Sequence, residues 1–206
     1  MDSKTFWDTW VPIWALSRQI PPAKVIKNGY LFEEVNDGKR EQELLLYSPE
    51  SMVEAQAYLS DKDYFCVSGL KEGFTVPKGW VHRLFNFMMI NEHLQIQAVS
   101  LAEKFAIQAE KSENRFVVKI YHQQTLASRG QIAYQNGYAV VDLIETNENY
   151  RRQGLATQVM KLLTNYVVEN GVTVGLLCAS DQGKPLYETL GWRTIGQYSR
   201  MVKATV

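Results

Sequence analysis

A chain of 206 residues, 46% apolar and 21% charged, can bury a substantial core as one large domain or two small ones. Its 22 basic residues balance 22 acidic ones, so bulk charge gives no reason to expect DNA, RNA or an anionic membrane as partner. Cys66 and Cys178 lie far apart, with no CxxC and no His at ligand spacing. Neither a disulfide framework nor a metal site is expected, and a reducing cytoplasm fits best.

Met1-Asp2-Ser3-Lys4 places an acid ahead of an apolar run that Asp8 and Pro12 interrupt, so no signal peptide is expected. No uncharged apolar stretch approaches the ~20 residues of a membrane-spanning helix. Over residues 4–18, Phe6, Trp7, Trp10, Val11, Trp14 and Ala15 recur at helical spacing. This tryptophan stripe reads as core packing or as a surface for stacking a ligand. Pro21-Pro22 stops the helix. Residues 29–35 and 41–47 read as strands around Asn36-Asp37-Gly38, and Ser48-Pro49-Glu50 opens a helix to about residue 59. Strands at 63–67 and 81–90 follow, separated by a loop over 69–79. Residues 1–91 thus read α-β-β-α-β-β.

Residues 91–104 carry no clear period. Four strands then follow at 105–111, 115–122, 125–134 and 137–146 on short polar links, one of them Asn136-Gly137, which predicts an antiparallel meander. Leu155, Val159, Leu162, Leu163, Tyr166 and Val167 mark a helix that Asn170-Gly171 ends. The apolar run 172–179 predicts a central strand, residues 183–190 a helix, and residues 192–195 and 197–203 a final hairpin. The fold class is α+β, or mixed α/β.

Residues 146–156 lie between a strand and a strongly patterned helix. Small residues at 154 and 156 let an anion approach unpaired helical N–H groups, and Arg151 and Arg152 add positive charge. Basic residues oppose the dipole at a helix N-terminus, so stability alone gives no reason to place them there. A pyrophosphate suits this cradle. Alone, the pattern is common.

Tyr150-Arg151-Arg152-Gln153-Gly154-Leu155-Ala156, followed after the next strand by Leu186-Tyr187-Glu188-Thr189-Leu190-Gly191-Trp192, resembles the two signatures of the GNAT superfamily of acyl-CoA-dependent N-acyltransferases. The likeness covers about residues 105–206. More loosely, Trp14-Ala15-Leu16-Ser17-Arg18 before Pro21-Pro22 is similar to a group of bacterial members with an extra N-terminal region.

The resemblance implies a central mixed, mostly antiparallel sheet with flanking helices over 92–206, binding acetyl-CoA. Amides of Arg152, Gln153, Gly154, Leu155 and Ala156 would hold the pyrophosphate, with Arg151 beside them. Ile144, Glu145 and Thr146, on a strand splayed from 174–179, would line the pantetheine arm. Ser180, where many members carry Asn, and Lys184 complete the implied set. Tyr187 falls where the family's tyrosine protonates the departing thiolate, as a phenol near pKa ~10 can at neutral pH; packing in the core is the alternative.

The amine must also lose a proton. Asp142, which interrupts an apolar strand, and Glu145 are the candidate bases. Cys178 reads as a small core residue. His82, His93 and His122 show no ligand spacing.

The family's usual two helices after the first strand have no room between 111 and 115, so residues 1–91 are expected to replace that wall of the acceptor site. Gly79-Trp80 and Gly191-Trp192 each enter a late strand, which suggests a degenerate half-copy of the fold in the first 91 residues. The function expected is acetyl transfer to a primary amine of a small molecule or peptide by direct attack in a ternary complex. The competing expectation is a non-catalytic acyl-CoA sensor. A monomer or homodimer is expected.

Overall fold

The computed structural model describes residues 1–36, 39–51, 64–70 and 74–204. Asp2 opens helix α1 (Ser3–Arg18): its carboxylate accepts the Thr5 N–H at 2.8 Å, and Gln19 closes the helix with φ 57°. Pro12 forfeits one helical hydrogen bond in mid-helix. The helix runs on because Phe6, Trp7, Trp10, Val11 and Trp14 are buried along one side, and Trp7 Nε1–H donates to Ser68 Oγ at 2.7 Å.

The strands are β1 (Lys24–Ile26), β2 (Gly29–Asn36), β3 (Lys39–Leu46), β4 (Tyr64–Ser68), β5 (Trp80–Asn91), β6 (Phe105–Ser112), β7 (Arg115–His122), β8 (Thr125–Gln135), β9 (Tyr138–Thr146), β10 (Val174–Ser180) and β11 (Arg193–Lys203). All belong to one sheet, in the order β1-β2-β3-β4-β11-β5-β10-β9-β8-β7-β6. Among the described residues only β3·β4 and β9·β10 are parallel, so the sheet is mixed and mostly antiparallel. Helices α2 (Leu155–Glu169) and α3 (Lys184–Thr189) complete the α+β fold. The meander expected over 105–146 is present as β6–β9. The helix expected to reach residue 59 falls mostly outside the described residues.

The expected final hairpin is instead one strand, β11. Gly196 looks like a turn residue in the sequence, but it sits at a register shift between Thr194 and Gly196. A Cβ there would meet the flexible tip of Met88, and the glycine accompanies a register shift rather than a reversal. The antiparallel partner of β11 is β5, from far earlier in the chain.

This pairing gives the sheet a repeated pattern. At its centre β11 and β5 are antiparallel. Outward from β5 lie β10, β9 and β8, and outward from β11 lie β4, β3 and β2, each trio containing one parallel pair. Trp80 packs edge-on to Phe65 of β4 with ring centroids 4.6 Å apart, while Trp192 lies against Gly175 of β10. The two trios differ in one respect. Pairing of β3 with β4 continues through Leu46, the last residue of β3, whereas pairing of β9 with β10 stops at Val141 and leaves Asp142–Thr146 outside that ladder.

One core joins α2 and α3 to Met89, Val118, Ile132, Val141, Leu177 and Trp192. A second joins α1 to Phe32, Leu45, Cys66, Met88, Val140 and Leu176. Neighbouring residues in a strand fall into different cores, as alternation requires. So α1 covers one sheet face, and α2 and α3 cover the other. A third, smaller cluster holds Leu44, Leu46, Phe65 and Met201.

Candidate active site

Beyond Val141, strand β9 leaves its ladders. Arg129 faces Glu145 and Gln131 faces Asp142, so Leu143 and Ile144 have no register partner in β8 or β10. Leu143 has φ 53°, a strained value for a branched residue, and marks a β-bulge. Gly130 lies opposite the bulge, where a Cβ would lie 2.4 Å from Ile144 Cδ1 and 2.6 Å from Val159 Cγ1. The bulge turns β9 away from β10, and a gap opens between residues 142–146 and 178–180.

Two cavities meet at this gap. One, of about 730 Å³, lies on the α2–α3 side; the other, of about 540 Å³, lies under α1. Ile144, Glu145, Ser180 and Tyr187 line both.

The larger cavity is lined by residues of the segment expected to form the cradle. Glu148–Tyr150 forms a single 3-10 turn, with the Asn147 side chain accepting the Asn149 N–H at 3.1 Å. The chain then passes through Arg152 (φ 61°) and Gly154 (φ 74°) into α2. The first bond of that helix runs from Gln158 N–H to Gly154 C=O, so the amides before it have no partner within the helix. Arg151, Arg152, Gly154, Leu155 and Ala156 all line the cavity. Leu155 is buried, so its side chain anchors the helix and its amide is what it offers the cradle.

The left-handed backbone at 152 and 154, the open space beside Gly154 and the unpaired amides together suit a pyrophosphate. Gln153 is not among the lining residues; its side chain accepts from Lys104 Nζ at 3.2 Å. Lys184 lines neither cavity. Its ammonium lies over the Phe87 ring at 4.4 Å and 3.6 Å from Glu188. Ser180 faces the gap, with Oγ accepting the Gly183 N–H at 3.2 Å at the entry to α3. Thr146 Oγ1 lies 2.9 Å from Ser128 Oγ, which also donates to the Glu145 carbonyl.

Tyr187 sits on α3 with 8% of its surface exposed. Burial, with a smaller contribution from the Asp142 charge, pushes its phenol up to about 12. Asp142 is engaged on both oxygens: Arg18 Nε donates to Oδ2 at 2.7 Å and Nη2 to Oδ1 at 3.3 Å, while Gln131 Nε2 adds a bond at 3.3 Å. Gln131 also donates to Ser17 Oγ and accepts from Arg115, which in turn donates to the Ser17 carbonyl at 2.6 Å. The last turn of α1 is therefore bonded to the start of the bulge. Glu145 is more open, its side chain 56% exposed, and accepts at Oε2 from Arg129 at 2.8 Å.

Several residues of the smaller cavity carry no motif. Trp7, Trp10 and Trp14 form its roof, so the tryptophan stripe both packs the core and lines a chamber. Trp10 and Trp14 stack 5.2 Å apart, and the Arg18 guanidinium lies 4.7 Å from the Trp14 ring. On the far wall, Arg200 of β11 lies 3.4 Å from Glu43 of β3, whose other oxygen accepts from the Cys66 thiol at 2.8 Å. Cys178 also lines the chamber, its thiol pushed up by burial.

A model for the acetyltransferase (GNAT) domain matches residues 90–203. The chain belongs to the GNAT acetyltransferases. Its fold is similar to a putative GNAT-family acetyltransferase from Novosphingobium aromaticivorans, with TM-score 0.65 and 14% identity over 97% of this chain and 99% of that one. A GCN5-related N-acetyltransferase from Kribbella flavida is similar with TM-score 0.58 and 14% identity over 89% and 90% of the two chains. A tandem GNAT protein from the clavulanic acid biosynthesis pathway is similar with TM-score 0.57 and 12% identity over 87% and 80%. No helix among the described residues is long and apolar enough to cross a membrane.

Proposed function

We propose that this protein transfers acetyl from acetyl-CoA to a primary amine, the amine attacking directly while both substrates are bound. The observation that carries the reading is the gap beyond Val141, which joins a phosphate cradle on one sheet face to a separate chamber on the other, with Tyr187 lining both. Acetyl-CoA would supply an activated thioester, its pyrophosphate held by the amides of 152–156 and by Arg151 and Arg152. The unladdered backbone at Leu143 and Ile144 is free to bond the pantetheine arm and polarise the carbonyl.

Tyr187 keeps its proton far above neutral pH and so can hand it to a departing thiolate. Asp142, bonded on both oxygens, is better suited to fixing the bulge against α1 than to accepting a proton. Glu145, open to solvent on the same gap, is the better base, acting through water. The symmetric strand order supports reading residues 1–91 as a degenerate second copy whose helix α1 replaces the usual acceptor wall. Two free thiols, Cys66 and Cys178, suit a cytoplasmic location.

The test is thermal stabilisation by acetyl-CoA followed by thiol release across a panel of amines. Stabilisation with amine-dependent release is expected. Stabilisation without release for any amine would favour a sensor, and no stabilisation would end the reading.

A further inference from the structure

Among the described residues, the far wall of the chamber under α1 holds an arginine with most of its donors unused. Arg200 lines the chamber with 40% of its side chain exposed, and its ion pair with Glu43 is long, Nη2 to Oε2 at 3.4 Å. Its Cζ lies 4.5 Å from the centre of the Tyr64 ring. Arg200 Nε is buried without a hydrogen-bond partner, and so is Nε1 of Trp10 in the roof. A guanidinium carries several N–H donors, and a buried donor left unpaired is destabilising.

The acceptor atoms of the chamber are, by contrast, already engaged. Both oxygens of Asp142 accept, from Arg18 and Gln131, and both of Glu43 accept, from Cys66 and Arg200. Ser180 Oγ accepts the Gly183 N–H at the gap. Glu145, open to solvent beside the gap, is the carboxylate that an incoming amine would meet. Arg200 stands well away from that point. Ser180 of β10 faces Asn86 of β5, and Asn86 faces Tyr198 of β11, two residues before Arg200. Two strand spacings of about 4.8 Å and two residues of about 3.4 Å put its Cα about 12 Å from that of Ser180.

From these unused donors we infer that the acceptor is an amine with a second polar group, an oxygen that accepts hydrogen bonds about 10 Å from its nitrogen, and that Arg200 selects for it. An amide carbonyl and a carboxylate share this chemistry. That the amine is acetylated rests on the transfer reading above; selection by Arg200 does not.

The test titrates three probes calorimetrically into the full chain: 4-phenylbutylamine, 4-(4-aminobutyl)benzamide and 4-(4-aminobutyl)benzoate. At least one oxygen-bearing probe should bind about tenfold or more tightly than 4-phenylbutylamine. The amide leads if Glu43 repels a second carboxylate, and the benzoate leads if the Arg200 charge prevails. Equal or weaker binding of both, or no binding of either, would overturn the inference. Arg200→Met should bring the preferred probe to within about twofold of 4-phenylbutylamine or below it, whereas Arg200→Lys should keep part of the difference. If the wild-type ratio survives in Arg200→Met, or all three probes weaken together there, Arg200 does not select the ligand and the inference fails. Stabilisation by acetyl-CoA, read on the same samples, shows that the variants are folded and separates this failure from that of the transfer reading.

Discussion

Tyr187 shows how one side chain is prepared by its surroundings. A phenol held near 12 stays protonated across the whole range in which an amine is deprotonated enough to attack. Tyr187→Phe should therefore lower kcat by about 100-fold or more, within the range for a lost general acid, while stabilisation by acetyl-CoA remains. In the wild type, kcat should stay level between about pH 9 and 10.5, where an ordinary tyrosine would begin to lose its proton; a pH–rate profile checks this. The Arg18–Asp142 pair makes a second, structural prediction. The Asp142 side chain is 13% exposed, so Arg18→Met leaves a nearly buried carboxylate that keeps the hydrogen bond from Gln131. A loss of about 2–4 kcal/mol in denaturant unfolding is expected, with partial recovery in Arg18→Met/Asp142→Leu.

Among the elements, the bulge in β9 separates the open parallel pair from the closed one. Gly130 lies opposite it. Gly130→Ala should cost about 1–3 kcal/mol by overpacking against Ile144 and Val159, and should weaken acetyl-CoA binding as the gap shifts. Titrating the nucleotide into the purified variant measures the second effect.

The helix after the cradle and the meander were legible because their periods are regular and their turns carry Asn and Gly. The bulge was not, since Leu143 gives no sign of a positive φ. The link 92–104 was equally silent for a different reason. It is held by side chains of α2, with Asn165 paired to the Gln97 backbone, Gln158 accepting from Ser100 and Lys161 donating to Ala98, rather than by a backbone ladder. Gly196 misled because glycine inside a strand also marks a bulge, as it does here. At the site, the cradle and Tyr187 were readable from local motifs. The aromatic chamber was not, since its walls come from α1, β2, β3, β4 and β11 and only the fold brings them together.

The whole molecule buries several groups that must stay protonated. Burial pushes Cys66 and Cys178 up, drives Tyr198 well above the ordinary range, and raises Tyr30 to about 12, the last with help from its bond to Asp8. In the unfolded chain thiols ionise near pH 8.5 and phenols near 10. Above those values the unfolded state gains by releasing protons that the folded state keeps, so stability is complete below about pH 8 and falls as pH rises. Melting temperature should decline progressively from about pH 9 upward, with a steeper drop beyond 10, as calorimetry across that range would show.

The pairing of β11 with both β4 and β5 also bears on how the chain is made. On the ribosome, residues 1–91 emerge long before residues 193–203, which complete the middle of the sheet. Both neighbours of β5, β10 and β11, are made after it, so its ladder stays incomplete until then and its edge is open to other chains. A seam of this kind, unpaired until β11 has been synthesised, is the sort of strand edge that invites pairing with other chains.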